Sequence, residues 1–241
     1  MLSFDRVMLK VSGEQLGSDE YNFDVAQAGR ICDVIEALIR SRIKVACVVG
    51  GGNVIRGAKL VKHGFKDGKI ADQLGMLATV QNGLFLGKLL EERDKGATPS
   101  VLSVVDIHSF AQPYSLKKGL SELNKSGRVV IVTGGMGRAG FTTDTATVTI
   151  GYELDCSLVV KTTDVDGVYT DDPKTNPDAV RIPQLTLDEA LNNPLINVMD
   201  NTALAMARQH GMTIAVCRPE VESVLSVIAG GTSRGSLVTP N

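Results

Sequence analysis

Lys44-Val-Ala-Cys-Val-Val-Gly-Gly-Gly-Asn-Val-Ile-Arg56-Gly57 constrains the fold of this chain more than any other segment. Val45 to Val49 are apolar without alternation, which predicts a strand buried on both faces, as in a parallel sheet. Gly50, Gly51 and Gly52 follow, and Asn53 stands where it would cap a helix starting at Val54-Ile55. A strand that runs through glycines into a helix leaves backbone N–H groups unpaired. With no Cβ in the way, a phosphate can approach them closely. Arg56 then falls one turn into that helix, within reach of the same anion. The structural alternative is a plain tight turn. A P-loop is excluded, because no Gly-Lys-Ser/Thr follows.

The rest of the chain supports an α/β reading. Arg6 to Gly13 reads as a first strand ending in Ser12-Gly13, with Lys10 near its C-terminal end, the edge where open α/β sheets bind ligands. Asp24 caps a helix to about Arg42, and residues 57–68 read as a short helix and loop. Ile70 to Arg93 reads as one long helix with Asp72 in its first turn, where a carboxylate complements the helix dipole or receives a ligand hydroxyl. Gly75 and Gly83 lie inside it at roughly 1 kcal/mol each relative to alanine, which points to close packing by another element or subunit. Further strands are expected at 100–105, 128–133, 156–161, 213–217 and 237–239, the last closing the sheet. Helices are expected at 115–126, from about 144 through 150, at 186–191 (capped by Thr186), at 200–210 and at 220–228.

The strand Arg128 to Thr133 also runs into glycines, Gly134-Gly-Met-Gly-Arg-Ala-Gly140, and then into Phe141-Thr-Thr-Asp144 at a helix start. It is a second candidate anion cradle, with Thr142, Thr143 or Asp144 as an ordinary N-cap the structural alternative. Gly135 to Gly140 also matches Gly-x-Gly-x-x-Gly, but three strands precede it and no acid ends the next strand, so a dinucleotide fold is disfavoured. Lys161 repeats the strand-end position of Lys10. Val168-Tyr169, between the turns at Asp166-Gly167 and Asp172-Pro173, can present a ring to a planar base.

Composition excludes several classes. The net charge of −2 and an aromatic content of 4% argue against a nucleic-acid surface, and no run reaches the length of a membrane span. Cys32, Cys47, Cys156 and Cys217 form no Cys-x-x-Cys pair, so reduced buried thiols are expected and no metal site is assigned. His63, His108 and His210 share no spacing with an acid or nucleophile that would support a hydrolytic triad. Charged residues in the first apolar stretch (Asp5, Arg6, Lys10) do not fit a signal peptide, and a cytoplasmic protein is expected. Two cradles, two strand-end lysines and an arginine suggest two phosphorylated ligands meeting at one sheet edge, hence phosphoryl transfer. That reaction needs positioning and charge stabilisation more than a general base.

Taken together, Lys10-Val-Ser-Gly13, Val49 to Gly57, Asp72-Gln-Leu-Gly-Met-Leu-Ala-Thr79, Phe141 to Asp144, Lys161 to Tyr169 and Met199-Asp200 resemble the bacterial uridylate (UMP) kinases of the amino acid kinase fold family. The resemblance implies a three-layer αβα sandwich around a mainly parallel sheet. It implies a single domain over 1–241, with about 1–150 on the acceptor side and about 151–241 on the ATP side. The implied reaction is ATP-Mg2+ with UMP giving ADP and UDP in pyrimidine biosynthesis. It places Lys10, Val11, Ser12, Gly13, Gly52, Arg56, Thr163, Tyr169 and Asp172 around ATP. Gly51, Asp72 and the segment Met136, Gly137, Arg138, Ala139, Gly140, Phe141, Thr142 and Thr143 would hold UMP. Lys10, Arg56, Asp144 and Lys161 would carry catalysis, Asp144 by organising the lysines rather than as a base. A homohexamer activated by GTP and inhibited by UTP is implied too.

Two features depart from the family pattern: Met136-Gly-Arg-Ala139 replaces a Thr-Gly-Asn-Pro-like run, with Arg138 expected to supply the UMP contact, and Asp164 stands where lysine or asparagine is common. Two alternatives remain: a kinase of the same fold acting on carbamate or an amino-acid carboxylate, and a nucleotide-binding regulator without chemistry.

Overall fold

The structure is a computed structural model, and it describes residues 4–240; residues 1–3 and 241 of the expected domain lie outside the described residues. The strands are β1 Arg6–Val11, β2 Lys44–Val49, β3 Thr98–Ser103, β4 Gln112–Pro113, β5 Arg128–Thr133, β6 Leu158–Thr162, β7 Val168–Tyr169, β8 Arg181–Ile182, β9 Gln184–Thr186, β10 Thr213–Cys217 and β11 Gly235–Thr239. The helices are α1 Val25–Arg40, α2 Gly57–Lys62, α3 Gly68–Arg93, α4 Leu116–Leu123, α5 Thr143–Glu153, α6 Leu187–Asn192, α7 Asn201–Gln209 and α8 Val221–Ile228.

Nine strands form one sheet in the order β4-β3-β5-β2-β1-β6-β10-β11-β9, parallel except where β11 meets β10. β7 and β8 form a separate hairpin. The unbroken apolar run of β2 divides between two faces: Val45, Cys47 and Val49 pack with α1, α3 and α8, whereas Ala46 and Val48 pack with the layer of α4, α5, α6 and α7. Burial on both faces is why this strand shows no alternation. The result is a three-layer α/β/α sandwich.

The sheet turns at β1. The chain moves from β1 to β2 on one side, and later adds β6 and β10 on the other. Such a reversal opens a crevice at the carboxyl ends of the strands. Because β1, β2, β5 and β6 are parallel, Lys10, the two glycine turns and Lys161 all arrive at that edge.

Several local expectations need correction. Asn53 caps no helix: α2 begins only at Gly57, and Arg56 is its N-cap residue rather than one turn inside. The Asn53 amide instead donates to the Asn22 carbonyl at 2.5 Å and pairs with buried Asn82 of α3, which holds the turn in place. Helix α3 starts at Gly68 with Asp67 as its cap, so Asp72 lies beyond the first turn and dipole complementarity does not explain it. A Cβ at Gly83 would stand 2.2 Å from Thr133 Cγ2, so that glycine admits the chain's own sheet. A Cβ on Gly75 would meet no described atom of another element within 4 Å. β11 is not the edge of the sheet, since β9 pairs outside it.

Candidate active site

Lys10 and Lys161 are register partners on adjacent parallel strands, a juxtaposition that follows from the pairing of β1 with β6. Residues of alternating parity face opposite layers, so both lysines point with Met8 and Val159 toward α5. There Asp144, in the first turn of α5, lies between them: Lys10 Nζ is 3.3 Å from Oδ1 and Lys161 Nζ is 2.9 Å from Oδ2. All three side chains are largely buried. Lys161 also donates to the Val198 carbonyl at 2.6 Å.

Burial weighs most on Asp144 and pushes its carboxyl up, but Lys10 and Lys161 together outweigh it and hold the group below the usual carboxylate range. The same burial depresses the Lys161 ammonium; Asp144 opposes that effect only in part, and Lys10 adds to it. Asp144 is therefore an ionised bridge between two cations: Oδ2 accepts from Lys161, whereas buried Oδ1 is ion-paired with Lys10 but accepts no hydrogen bond among the described residues. A carboxylate so placed is a poor proton acceptor.

Two cavities are lined by chain neighbours of this triad, one by Thr142 and Thr143 before Asp144 and the other by Thr163 after Lys161; the three charged side chains line neither. One, of about 220 Å³, is lined by Gly51, Gly52, Asp72, Met136, Arg138, Phe141, Thr142 and Thr143 among others. Of the expected acceptor residues, Ala139 and Gly140 line a neighbouring opening instead, beside Lys62, Lys66 and Lys69. Gly137 lines neither of these cavities; its Cβ position is 3.0 Å from Val104. Asp72 Oδ2 accepts the Gly140 N–H at 2.8 Å, which ties the glycine segment across the cavity. The close approach of Gly51 to α3 requires glycine, since a Cβ would lie 2.8 Å from both Ala78 Cβ and the Gly75 carbonyl.

The other cavity, of about 480 Å³, is lined by Thr163, Tyr169 and Asp172 together with Asp164, Lys174, Pro194, Leu195 and Asn197. Tyr169 donates to Asp166 at 2.6 Å, which braces its ring. Lys174 pairs with Asp164 at 3.3 Å, so the acid that departs from the family pattern carries its own counter-charge. Val11 faces the core with 1% exposure, and its carbonyl accepts the Gly50 N–H. Only its backbone sits at the ligand edge. Gly13 packs directly on the first glycine turn, 2.5 Å from the Gly52 nitrogen at its Cβ position. Arg56 is paired with Glu14 and is half-exposed at the mouth of the site.

Thr142 caps α5 by accepting from the Asp144 and Thr145 N–H groups, and donates its hydroxyl to Asp200 Oδ2 at 2.5 Å. Asp200 also receives Thr145 Oγ1 and the Ala203 N–H. Gln15, Asn82, Gly75, Met76, Pro194, Leu195 and Asn197 were not among the expected site residues. Gly75 and Met76 lie within the Asp72 to Thr79 motif, which could have pointed to them; the others carry no motif, and only the packing brings them near the site.

No group of three or more His, Cys, Asp and Glu side chains gathers at metal-binding geometry among the described residues. Asp144 is committed to two lysines and Asp200 to two threonines and an N–H. A Mg2+ ion would arrive on the phosphate oxygens of the nucleotide, as part of the substrate.

The model of the amino acid kinase family matches residues 5–218. The chain is 39% identical to a uridylate kinase of Sulfurovum sp. over 97% of its length and 98% of that protein's. The chain belongs to the uridylate kinases of the amino acid kinase family. The fold agrees: the UMP kinase of Bacillus anthracis superposes with a TM-score of 0.91 at 27% identity, covering 99% of this chain and 97% of that one. The UMP kinase of Ureaplasma parvum gives 0.88 at 29% identity, over 99% and 100% of the two chains. This family member is thus a nucleoside monophosphate kinase by descent, with a lysine–aspartate–lysine bridge at the sheet edge.

Proposed function

We propose that the enzyme transfers the terminal phosphoryl group of ATP, supplied with Mg2+, to UMP, yielding ADP and UDP for pyrimidine nucleotide synthesis in the cytoplasm. The single observation that carries this reading is the register pair Lys10 and Lys161, held together by Asp144 at the carboxyl edge of the sheet. A triphosphate donor and a phosphomonoester acceptor repel each other, and two ammonium groups at the junction offset that repulsion where charge shifts during transfer. A phosphomonoester with a second pKa near 6 is already a dianionic nucleophile at neutral pH, so the acceptor needs no base. The described side chains at the centre offer none: Asp144 is held ionised by its lysines, and no histidine lines either cavity.

In this reading the larger cavity takes the adenosine, with Tyr169 beside the base and Thr163 and Asp172 on its rim. Ser12, Gly13, Gly52 and Arg56 attend the donor phosphates. Because Arg56 is paired with Glu14 here, its use on a phosphate requires exchange of that carboxylate for the ligand. The smaller cavity takes UMP, with Asp72 and Gly51 on one wall and Met136, Arg138, Phe141, Thr142 and Thr143 on the other. The whole chain from 1 to 241 acts as one domain, acceptor side first and ATP side second. A homohexamer with GTP as activator and UTP as inhibitor belongs to the same proposal; the exposed Ile70, Leu74 and Leu77 of α3 are consistent with subunit packing.

The deciding experiment measures ADP release from ATP-Mg2+ with UMP, CMP, dUMP, carbamate, aspartate and N-acetylglutamate offered separately. Turnover with UMP is expected. Turnover only with carbamate or a carboxylate would keep the fold and overturn the function, and ATP binding without turnover would make the protein a regulator. Arg138, on the wall of the smaller cavity, is expected to contact the UMP phosphate or base. Arg138→Ala should raise the KM for UMP about tenfold, as loss of a charged hydrogen bond does, with kcat little changed. An unchanged KM would remove Arg138 from the acceptor site.

A further inference from the structure

The transfer centre needs Lys10 and Lys161 at a fixed separation, and the fold ties their strands together through groups that belong to neither lysine side chain. Gln15 closes the 3-10 turn Gly13–Gln15 after β1 and is 8% exposed. Its Oε1 accepts the Ser12 N–H at 3.0 Å and the Thr162 hydroxyl at 2.8 Å. Thr162, 2% exposed, brings the same hydroxyl within 3.1 Å of the Lys10 carbonyl. One amide oxygen thus joins the loop that follows the first lysine to the residue that follows the second.

The other end of the amide is the informative one. Gln15 Nε2 is buried and has no hydrogen-bond partner among the described residues. Exchanging the amide nitrogen and oxygen does not cure this, because an NH2 group would then face the Ser12 N–H, donor against donor. A buried unsatisfied donor carries a desolvation penalty comparable to a lost hydrogen bond. A methionine of similar length would remove that donor but leave the Ser12 N–H without its acceptor, so the two costs offset each other. What glutamine supplies and methionine cannot is the two-pronged acceptor on Ser12 and Thr162.

We propose that Gln15, together with Thr162, is a positioning residue for the donor-phosphate side of the centre. It holds the Ser12–Gly13 backbone and the spacing of the two lysines without itself touching substrate. The inference rests on the reading of Ser12–Gly13 as a donor-phosphate loop.

The test compares full-length wild type with Gln15→Met, Thr162→Val and Thr162→Ser. Gln15→Met and Thr162→Val should lower kcat/KM for ATP on the order of 10- to 100-fold, the scale of loss when a reacting group is misplaced by about 1 Å. The KM for UMP should stay at the wild-type value, Gln15→Met should melt close to the wild-type temperature, and Thr162→Ser should recover most of the activity. Wild-type kinetics in Gln15→Met would overturn the proposal, as would a loss shared equally by ATP and UMP parameters that tracks a fall in Tm. A second readout does not depend on the acceptor: the thermal stabilisation given by ATP-Mg2+ alone should shrink in Gln15→Met. If the wild type binds ATP but ignores UMP, the uridylate reading falls while this shift still decides on Gln15. If ATP-Mg2+ gives the wild type no stabilisation, the donor loop itself is refuted and the inference with it.

Discussion

Asp144→Asn should lower kcat on the order of 10²- to 10³-fold, the range found when a preorganised electrostatic group is removed from a reacting centre. The fold of the variant should survive, because asparagine fills the same space. What changes is charge. Lys161 already loses its proton more readily than an ordinary lysine because it is buried, and Asp144 is its chief support against that tendency. Without the carboxylate, the Lys161 pKa falls further. The alkaline limb of the kcat–pH profile should move to lower pH, since the cation is lost sooner as pH rises. The acid side has the opposite sign. Asp144 titrates below its ordinary value of 3.8 in the folded protein, so its ionic contribution to stability is complete above that value and is lost as pH falls through the lower, folded pKa. The wild type should therefore lose stability in strong acid more steeply than the variant. ATP-Mg2+ should restore more of the melting temperature in Asp144→Asn than in wild type, because its phosphates replace the missing anion between the lysines. A variant with an unaltered alkaline limb would show that Asp144 does not govern the charge at the centre.

Arg93→Ala is expected to be the most damaging substitution for stability outside the site. Arg93, the last residue of α3, donates from Nε to Glu36 Oε1 at 2.6 Å and from Nη2 to Glu36 Oε2 at 3.0 Å, and it also pairs with Asp33. Glu36 lies on α1 with its side chain 2% exposed. Removing the guanidinium leaves a buried carboxylate without its partner, a change that costs about 3–5 kcal/mol. For a chain of this size each kcal/mol lowers Tm by about 2–4 °C, so a fall on the order of 10 °C should be seen by calorimetry. The double variant Glu36→Leu with Arg93→Leu should recover much of that loss, because it removes the charge along with its partner. A double variant no more stable than Arg93→Ala would contradict the view that the stranded charge is the cause.

The parts of the molecule legible in the sequence were those governed by local chemistry. Continuous apolar runs mark β1, β2, β5 and β6 because both faces of these strands are covered. Glycines after β2 and β5 mark loops where a backbone passes close to another. The lysines near the ends of β1 and β6 stand out as charges in apolar runs. What was not legible depends on partners distant in the chain. Asn53 looks like a helix cap until buried Asn82 is seen to take its side chain. The short strands β4, β7, β8 and β9 exist through pairing rather than propensity. Gln15 resembles any polar residue after a Ser-Gly turn. Its role emerges only with Thr162 against it. The register of Lys10 on Lys161 is likewise a property of strand pairing, and no pattern within either strand specifies it.

The central position of β1 bears on how the protein is made. Its two sides are completed at very different times: β2 begins soon after β1 in the chain, whereas the Thr162 hydroxyl that meets the Lys10 carbonyl lies 152 positions away. At about 5–20 residues per second, synthesis takes on the order of 10–30 s to cover that gap. During that interval one edge of β1 has no strand to pair with, and its apolar residues Val7, Met8 and Leu9 have only half of their eventual cover. The strand that carries Lys10 thus offers the nascent chain an unpaired edge open to misplaced pairing.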